Sequence, residues 1–277
     1  MFTLVAGTGY TGRRVLEQLP VEESVGLSRT RIDTGHAFHQ FDFDASALLP
    51  FDLAGKYAVL YTCPPDGEDD TRLQHFLALL KPAPARIVYI STTGVYGDRK
   101  GAVVTEDADV DPVNSMARAR IAAESILTAY AEQSGCELVI LRAPGIYGPG
   151  RLPVQRVSED GAFLDEEDCT PGNRIHVDDL ASCCIAALDD ATPPDVYNVG
   201  DGDHRSATWF AQEVARQAGL PAPRLISRAE AEEEFSSVRL AFMSSSRIVD
   251  TTKMREVLGV TPRYADPAEG IAASLGL

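Results

Sequence analysis

The chain opens on an apolar run, Phe2-Thr3-Leu4-Val5-Ala6, that passes directly into Gly7-Thr8-Gly9-Tyr10-Thr11-Gly12. This junction constrains the fold more than any other feature. The first strand of a doubly wound sheet must turn sharply into a helix at such a point, and a pyrophosphate reaches the helix N-terminus only where no side chain blocks the backbone. Gly7 and Gly9 meet those needs, and Gly12 lets the helix pack close to the strand. The spacing predicts a helix over Arg13 to Leu19, stopped by Pro20. Placed between a strand and a helix, the loop predicts a dinucleotide site formed by Gly7, Gly9, Tyr10, Thr11 and Gly12. A structural glycine turn without a ligand is the alternative.

Downstream, short β-branched or aromatic runs alternate with longer helical patterns, which argues for parallel βαβ units. Strands are expected at Ser24 to Leu27, Ala37 to Phe41, Ala58 to Thr62, Arg86 to Ser91 and Leu138 to Leu141. Helices are expected at Asp70 to Leu80 and at Val113 to Ser134, the latter ended by Gly135. After Gly148-Pro149-Gly150 the pattern loosens into an acidic excursion that contains Glu159-Asp160 and Asp165 to Asp168. A helix from Asp178 to Leu188 and a strand at Asp195 to Val199 then return to the sheet, and the remainder reads as mostly helical. The expected architecture is an α/β, doubly wound parallel sheet with a smaller helical lobe. Residues 1–150, with return segments near 173–200, form the dinucleotide domain; 151–172 and 201–277 form the substrate lobe.

With 277 residues and 44% hydrophobic content, the chain can bury a full α/β core. A formal net charge of −16 without any lysine or arginine block argues against nucleic acid and anionic membranes as partners. No run approaches the roughly 18 apolar residues of a membrane span, and no leader-like segment opens the chain. The five cysteines are odd in number and lack metal or redox spacing, so a reduced cytoplasm, no disulfide framework and no metal site are expected. Cys183-Cys184 reads as buried packing within a helix.

The end of the second strand selects the dinucleotide. A carboxylate there accepts the ribose 2′-hydroxyl of NAD, whereas arginine suits the extra phosphate of NADP. Here the strand ends Gly26-Leu27-Ser28-Arg29, with no carboxylate before Asp33. NADP is therefore expected, held by Ser28 and Arg29, with NAD as the alternative and a solvated surface arginine as the bland reading of Arg29. Asp42, after the third strand, reads either as an acceptor for the adenine amino group or as an ordinary loop aspartate.

Several further segments stand in a characteristic order: Ser91-Thr92-Thr93-Gly94-Val95-Tyr96-Gly97, Leu141-Arg142-Ala143-Pro144-Gly145-Ile146-Tyr147-Gly148-Pro149-Gly150-Arg151, Arg174-Ile175-His176-Val177-Asp178-Asp179-Leu180, Tyr197-Asn198-Val199-Gly200-Asp201 and Leu258-Gly259. Over nearly its whole length the chain resembles the extended short-chain dehydrogenase/reductase superfamily, its nucleotide-sugar epimerases and dehydratases in particular. The resemblance implies that Thr92 hydrogen-bonds the substrate's reacting oxygen. It also implies that Cys63-Pro64-Pro65 passes the cofactor ribose and that Pro144-Gly145-Ile146 lies against the nicotinamide.

The chain departs from the family at one point that matters. Members carry Tyr-x-x-x-Lys on the long helix, where this chain reads Met116-Ala117-Arg118-Ala119-Arg120. A thioether exchanges no proton, and arginine, with a pKa above about 12, keeps its charge at neutral pH. The resemblance implies that Arg120 retains the ribose role while the acid/base role at position 116 is lost. Tyr96, Tyr147, His176 and Cys63 are the candidate substitutes, with Tyr147 first; packing, capping or ribose support is the alternative for each. Arg151, Arg156 and Arg174 are candidate ligand contacts of the substrate lobe, or else surface partners of Glu159, Asp160 or Asp165.

Two functions follow as expectations. One is an NADP-dependent epimerase/dehydratase-like oxidoreductase that acts on a sugar nucleotide or related hydroxyl compound by hydride transfer. The other is an NADP(H)-binding regulatory or redox-sensing protein without chemistry. A small-molecule substrate is the expected partner, and the chain is read as a monomer or a homodimer.

Overall fold

The computed structural model describes residues 1–53, 55–159, 161–236, 239–240 and 245–277; Asp160 of the acidic excursion lies outside them. The chain runs β1 (Phe2–Ala6), α1 (Tyr10–Leu16), β2 (Ser24–Ser28), β3 (Ala37–Gln40), β4 (Tyr57–Tyr61), α2 (Thr71–Leu79), β5 (Arg86–Thr92) and β6 (Val103–Val104). It continues through α3 (Ser115–Ser134), β7 (Glu137–Ala143), β8 (Gly145–Tyr147), α4 (Val154–Ser158), β9 (Phe163–Leu164), β10 (Arg174–His176), α5 (Val177–Leu188) and β11 (Val196–Asn198). The last part holds α6 (Ala207–Ala218), β12 (Leu225–Ile226), α7 (Arg228–Glu234), β13 (Ile248–Val249) and two helices at Thr252–Glu256 and Pro267–Leu275.

Seven strands form one sheet in the order β11-β7-β5-β4-β1-β2-β3, with every pair parallel. The order reverses on either side of β1, the arrangement of a doubly wound sheet. Because both faces are covered, the central strands are apolar on both sides. Val5, Leu60, Val88 and Leu141 pack with Val15 of α1 and with Leu180, Cys183 and Cys184 of α5. Their strand neighbours Leu4, Val59 and Tyr89 face Phe76 of α2 and Ala123 and Leu127 of α3 on the opposite side. The expected α/β fold is therefore present, and Cys183 and Cys184 are fully buried free thiols within it. Beyond the sheet, short parallel pairs join β8 with β10, β9 with β12 and β6 with β13.

Helix ends follow local chemistry. Asn114 caps α3 by accepting from the Ala117 amide at 2.9 Å, and Gly135 ends it in the left-handed conformation. Helix α1 begins at Tyr10, three residues before the spacing predicts, and ends at Leu16 rather than Leu19. Gly12 therefore lies inside the helix, where a β-carbon would sit 2.1 Å from the Gly7 carbonyl oxygen. Helix α5 is capped by a histidine. The His176 ring accepts from the Asp178 amide, while Asp178 pairs with Arg14 and Asp179 accepts from the amides of Arg263 and Tyr264.

Candidate functional site

The turn from β1 into α1 forms the floor of a cleft of about 420 Å³ at the C-terminal edge of the sheet. Gly7 holds φ at +98°, a region L side chains rarely adopt, and nothing lies within 4 Å of a β-carbon built on Gly9. The loop thus leaves bare backbone toward the cleft, which is what a pyrophosphate requires. Tyr10, Thr11, Ser28, Arg29, Cys63, Pro64, Arg120 and Ile146 line the same cleft. It also holds Arg72 and Arg151, and no carboxylate is among the described residues that line it. In a chain of net charge −16, this local excess of guanidinium suits an anionic ligand.

The individual side chains are held as follows. Arg120, on the first turns of α3, donates from Nη1 to the Ile90 carbonyl at 2.8 Å and to the Tyr89 hydroxyl at 3.1 Å. Arg151 stacks on the Tyr10 ring, its guanidinium carbon 3.9 Å from the centroid, and the Tyr10 hydroxyl donates to the Pro149 carbonyl at 3.1 Å. The Cys63 thiol is pushed up to about 12 by burial, so it stays protonated at neutral pH. Asp42 and Pro65 do not line the cleft. The Asp42 side chain instead accepts from the Asp44 amide at 3.0 Å, the loop role that was the alternative for it.

A second cleft of about 720 Å³ adjoins the first. Ile90 of β5 lines the first and Thr92 the second; along the segment after β7, Pro144 lines the second and Ile146 the first. The Thr92 hydroxyl accepts from the Gly94 amide at 3.1 Å, which leaves its own proton free to be donated. Across this cleft stand Arg156, Arg239 and Arg247, again without a carboxylate among the described lining residues. Arg247 donates to the Gly97 carbonyl at 2.9 Å and to Ser245 Oγ at 2.8 Å, while its Nε is buried without a partner among the described residues. Arg156 and Arg239 both donate to the Ala162 carbonyl. Burial lowers the pKa of Arg156 and Arg247, as expected for cations that an anion would stabilise.

Four sequence-derived candidates line neither cleft. Tyr147 lines neither cleft; it is 4% exposed, packed edge-on to His176 and Phe210, and its hydroxyl is buried without a partner among the described residues. Desolvation raises its pKa further above the phenol range, so it is not placed as a proton donor to the cleft. Arg174 is likewise buried away from both clefts and pairs with Asp203 at 2.9 Å. His176 caps α5, and burial lowers its pKa. Tyr96 is also fully buried, its hydroxyl donating to Asn198 Oδ1 at 2.7 Å. Met116 stands 56% exposed. Sequence reasoning missed Arg72, Arg239 and Arg247, none of which lies in a motif; positive charge alone does not distinguish them from the other arginines of the chain.

Residues 70–200 match the sequence model of the NAD dependent epimerase/dehydratase family. Human dTDP-D-glucose 4,6-dehydratase is 26% identical over 137 residues, 47% of this chain and only 39% of that protein's length. A structure described as a functionally unknown conserved protein from Silicibacter pomeroyi DSS superposes with a TM-score of 0.82 at 26% identity, covering 100% of this chain and 99% of that one. MoeE5 in complex with UDP-glucose and NAD has the same fold, with a TM-score of 0.75 at 19% identity over 100% and 98% of the two chains. Over residues 70–200 the chain is thus similar to the NAD dependent epimerase/dehydratase family, and over its whole length it shares the fold of these structures, with Met116 and Arg120 where the resemblance expects Tyr-x-x-x-Lys.

Proposed function

We propose that the protein binds NADP in the first cleft and transfers hydride to or from an anionic hydroxyl or carbonyl compound, such as a sugar nucleotide, in the second. The observation that carries this reading is the juncture of the clefts. Thr92 and Pro144 face a cavity lined by Arg156, Arg239 and Arg247, two residues along the chain from Ile90 and Ile146 of the cofactor cleft. The cofactor would supply hydride exchange. Gly7, Gly9 and Thr11 would hold its pyrophosphate, Ser28 and Arg29 its 2′-phosphate, and Arg120 its nicotinamide ribose. Pro144 and Ile146 would lie against the nicotinamide. Thr92 would orient the reacting oxygen, and the three arginines would neutralise the substrate's phosphates through charge-assisted hydrogen bonds. Residues 151–172 and 201–277 would act as the substrate lobe. MoeE5 was solved with UDP-glucose and NAD; NADP is preferred here because β2 ends without a carboxylate.

A second reading rests on a specific observation: no tyrosine, histidine, lysine or carboxylate is among the described residues that line the second cleft. A protein that binds NADP(H) and reports its state to a partner needs no proton shuttle. Purified protein incubated with NADP+ or NADPH and a panel of nucleotide sugars and carbonyl compounds separates the two, with nicotinamide absorbance and sugar products followed. Turnover that disappears in Thr92→Val supports the oxidoreductase. Tight NADPH binding without turnover across the panel supports the sensor, and failure to bind either dinucleotide removes both.

A further inference from the structure

We infer that Arg72, on the first turn of α2, is a second guanidinium for the cofactor's 2′-phosphate, oriented by Asp44 and acting across the cleft from Ser28 and Arg29. The inference rests on the NADP reading above and extends it to residues that no motif marks. Arg72 donates to Asp44 through both Nε, at 2.7 Å, and Nη2, at 3.1 Å, a two-pronged pairing that fixes the plane of the guanidinium. Its Nη1 is held only by a 3.5 Å contact to the Pro64 carbonyl, and the side chain lines the cofactor cleft while only 15% exposed. Asp66 approaches Nη2 no closer than 4.0 Å.

The other half of the site is the end of β2. Arg29 Nη1 lies 3.7 Å from Asp44 Oδ2, so both arginines converge on one carboxylate. Ser28 and Thr30 line the cleft beside them, and Ser28 Oγ accepts from the Thr30 amide at 3.4 Å, leaving its proton to donate. Asp44 itself does not line the cleft. The hydrogen bonds from Arg72, with a smaller contribution from the Arg29 charge, hold the Asp44 carboxyl below its usual range. Arg29 is 65% exposed and Arg72 only 15%, so Arg72 is the preorganised member of the pair.

The test is calorimetric titration of the whole protein with 2′,5′-ADP and with 5′-ADP, in wild type, Arg72→Ala and Arg72→Lys, each checked by circular dichroism and melting. Wild type should bind 2′,5′-ADP at least about ten-fold more tightly than 5′-ADP. Arg72→Ala should remove most of that preference while leaving the 5′-ADP affinity within about two-fold, since a charged hydrogen-bond pair is worth at least a factor of about ten. If Arg72→Ala melts early, Arg72→Lys keeps the cation without the fork and should retain only part of the preference. A preference unchanged in both variants overturns the inference, as does an equal loss of affinity for both ligands. A wild type that binds both equally removes the NADP reading and Arg72's role with it. A wild-type preference that survives loss of Arg72 leaves NADP standing and removes only Arg72.

Discussion

Arg142 and Glu124 form a buried ion pair, Nη2 to Oε2 at 2.8 Å, with side chains only 8% and 9% exposed. The pair ties β7 to α3, and its neighbours extend it to the rest of the sheet edge. Ser91 donates to Glu124, Arg142 Nη1 donates to the Tyr96 hydroxyl at 3.1 Å, and Tyr96 donates to Asn198 on β11. The network thus sets the strand end that carries Thr92. Removal of one partner leaves an uncompensated charge in the interior, which costs about 3–5 kcal/mol.

Glu124→Ala should therefore destabilise by about that amount in urea unfolding, and Glu124→Ala combined with Arg142→Met should cost less than Glu124→Ala alone. A loss under about 1 kcal/mol for the single variant would mean that solvent or relaxation supplies Arg142 with another partner.

Tyr147 gives a prediction with the opposite sign. Its buried hydroxyl has no partner among the described residues, so Tyr147→Phe removes an unsatisfied group and should leave stability unchanged or raise it by about 1 kcal/mol. NADPH binding and any turnover should be unaffected. A β-carbon on Gly270 would lie 2.3 Å from that hydroxyl oxygen, so Gly270→Ala should cost about 1–3 kcal/mol, part of it regained in the Tyr147→Phe background. Loss of turnover in Tyr147→Phe at unchanged dinucleotide affinity would restore the proton role to Tyr147.

Asp201, in the turn after β11, predicts a pH dependence. It is 5% exposed, Oδ1 accepts from the Asp203 amide at 2.9 Å, and Oδ2 has no partner among the described residues. Burial pushes its carboxyl up to about 7, opposed by Arg174 and reinforced by Asp203 and Asp179. The folded state then holds a proton that the unfolded chain, with a pKa near 3.9, has already released. Its contribution is complete below about pH 4 and is lost as pH rises through 7, at about 1.4 kcal/mol per pH unit at the steepest. Asp201→Asn mimics the protonated form, so wild type should lose stability relative to it between pH 4.5 and pH 8. Parallel melting-temperature curves for the two proteins across that range would rule this out.

Much of the fold was legible because its cues are local. The glycine turn after β1, the Gly135 stop and the alternation of apolar strands with helical periods each depend on a few neighbouring residues. Backbone sterics act at the same range. The errors in helix limits came at α1, where the helix takes up the glycine loop itself because Gly12 has no β-carbon to strike Gly7.

The candidate site was legible only where a motif carries it. The loop from Gly7 to Gly12, Arg29 after β2, and Thr92 after β5 were all marked by position relative to a strand end. The sequence by itself determined a doubly wound sheet and the place of its glycine loop, because both follow from patterns local to each βα unit. Only the tertiary structure decided that Arg72 meets Asp44 across 28 residues, that Arg247 reaches Gly97 across 150, and that Tyr147 turns into the core. Which cations face a cleft, and which hydroxyl is shut away from it, depends on packing between elements distant in the chain, and no local spacing encodes that.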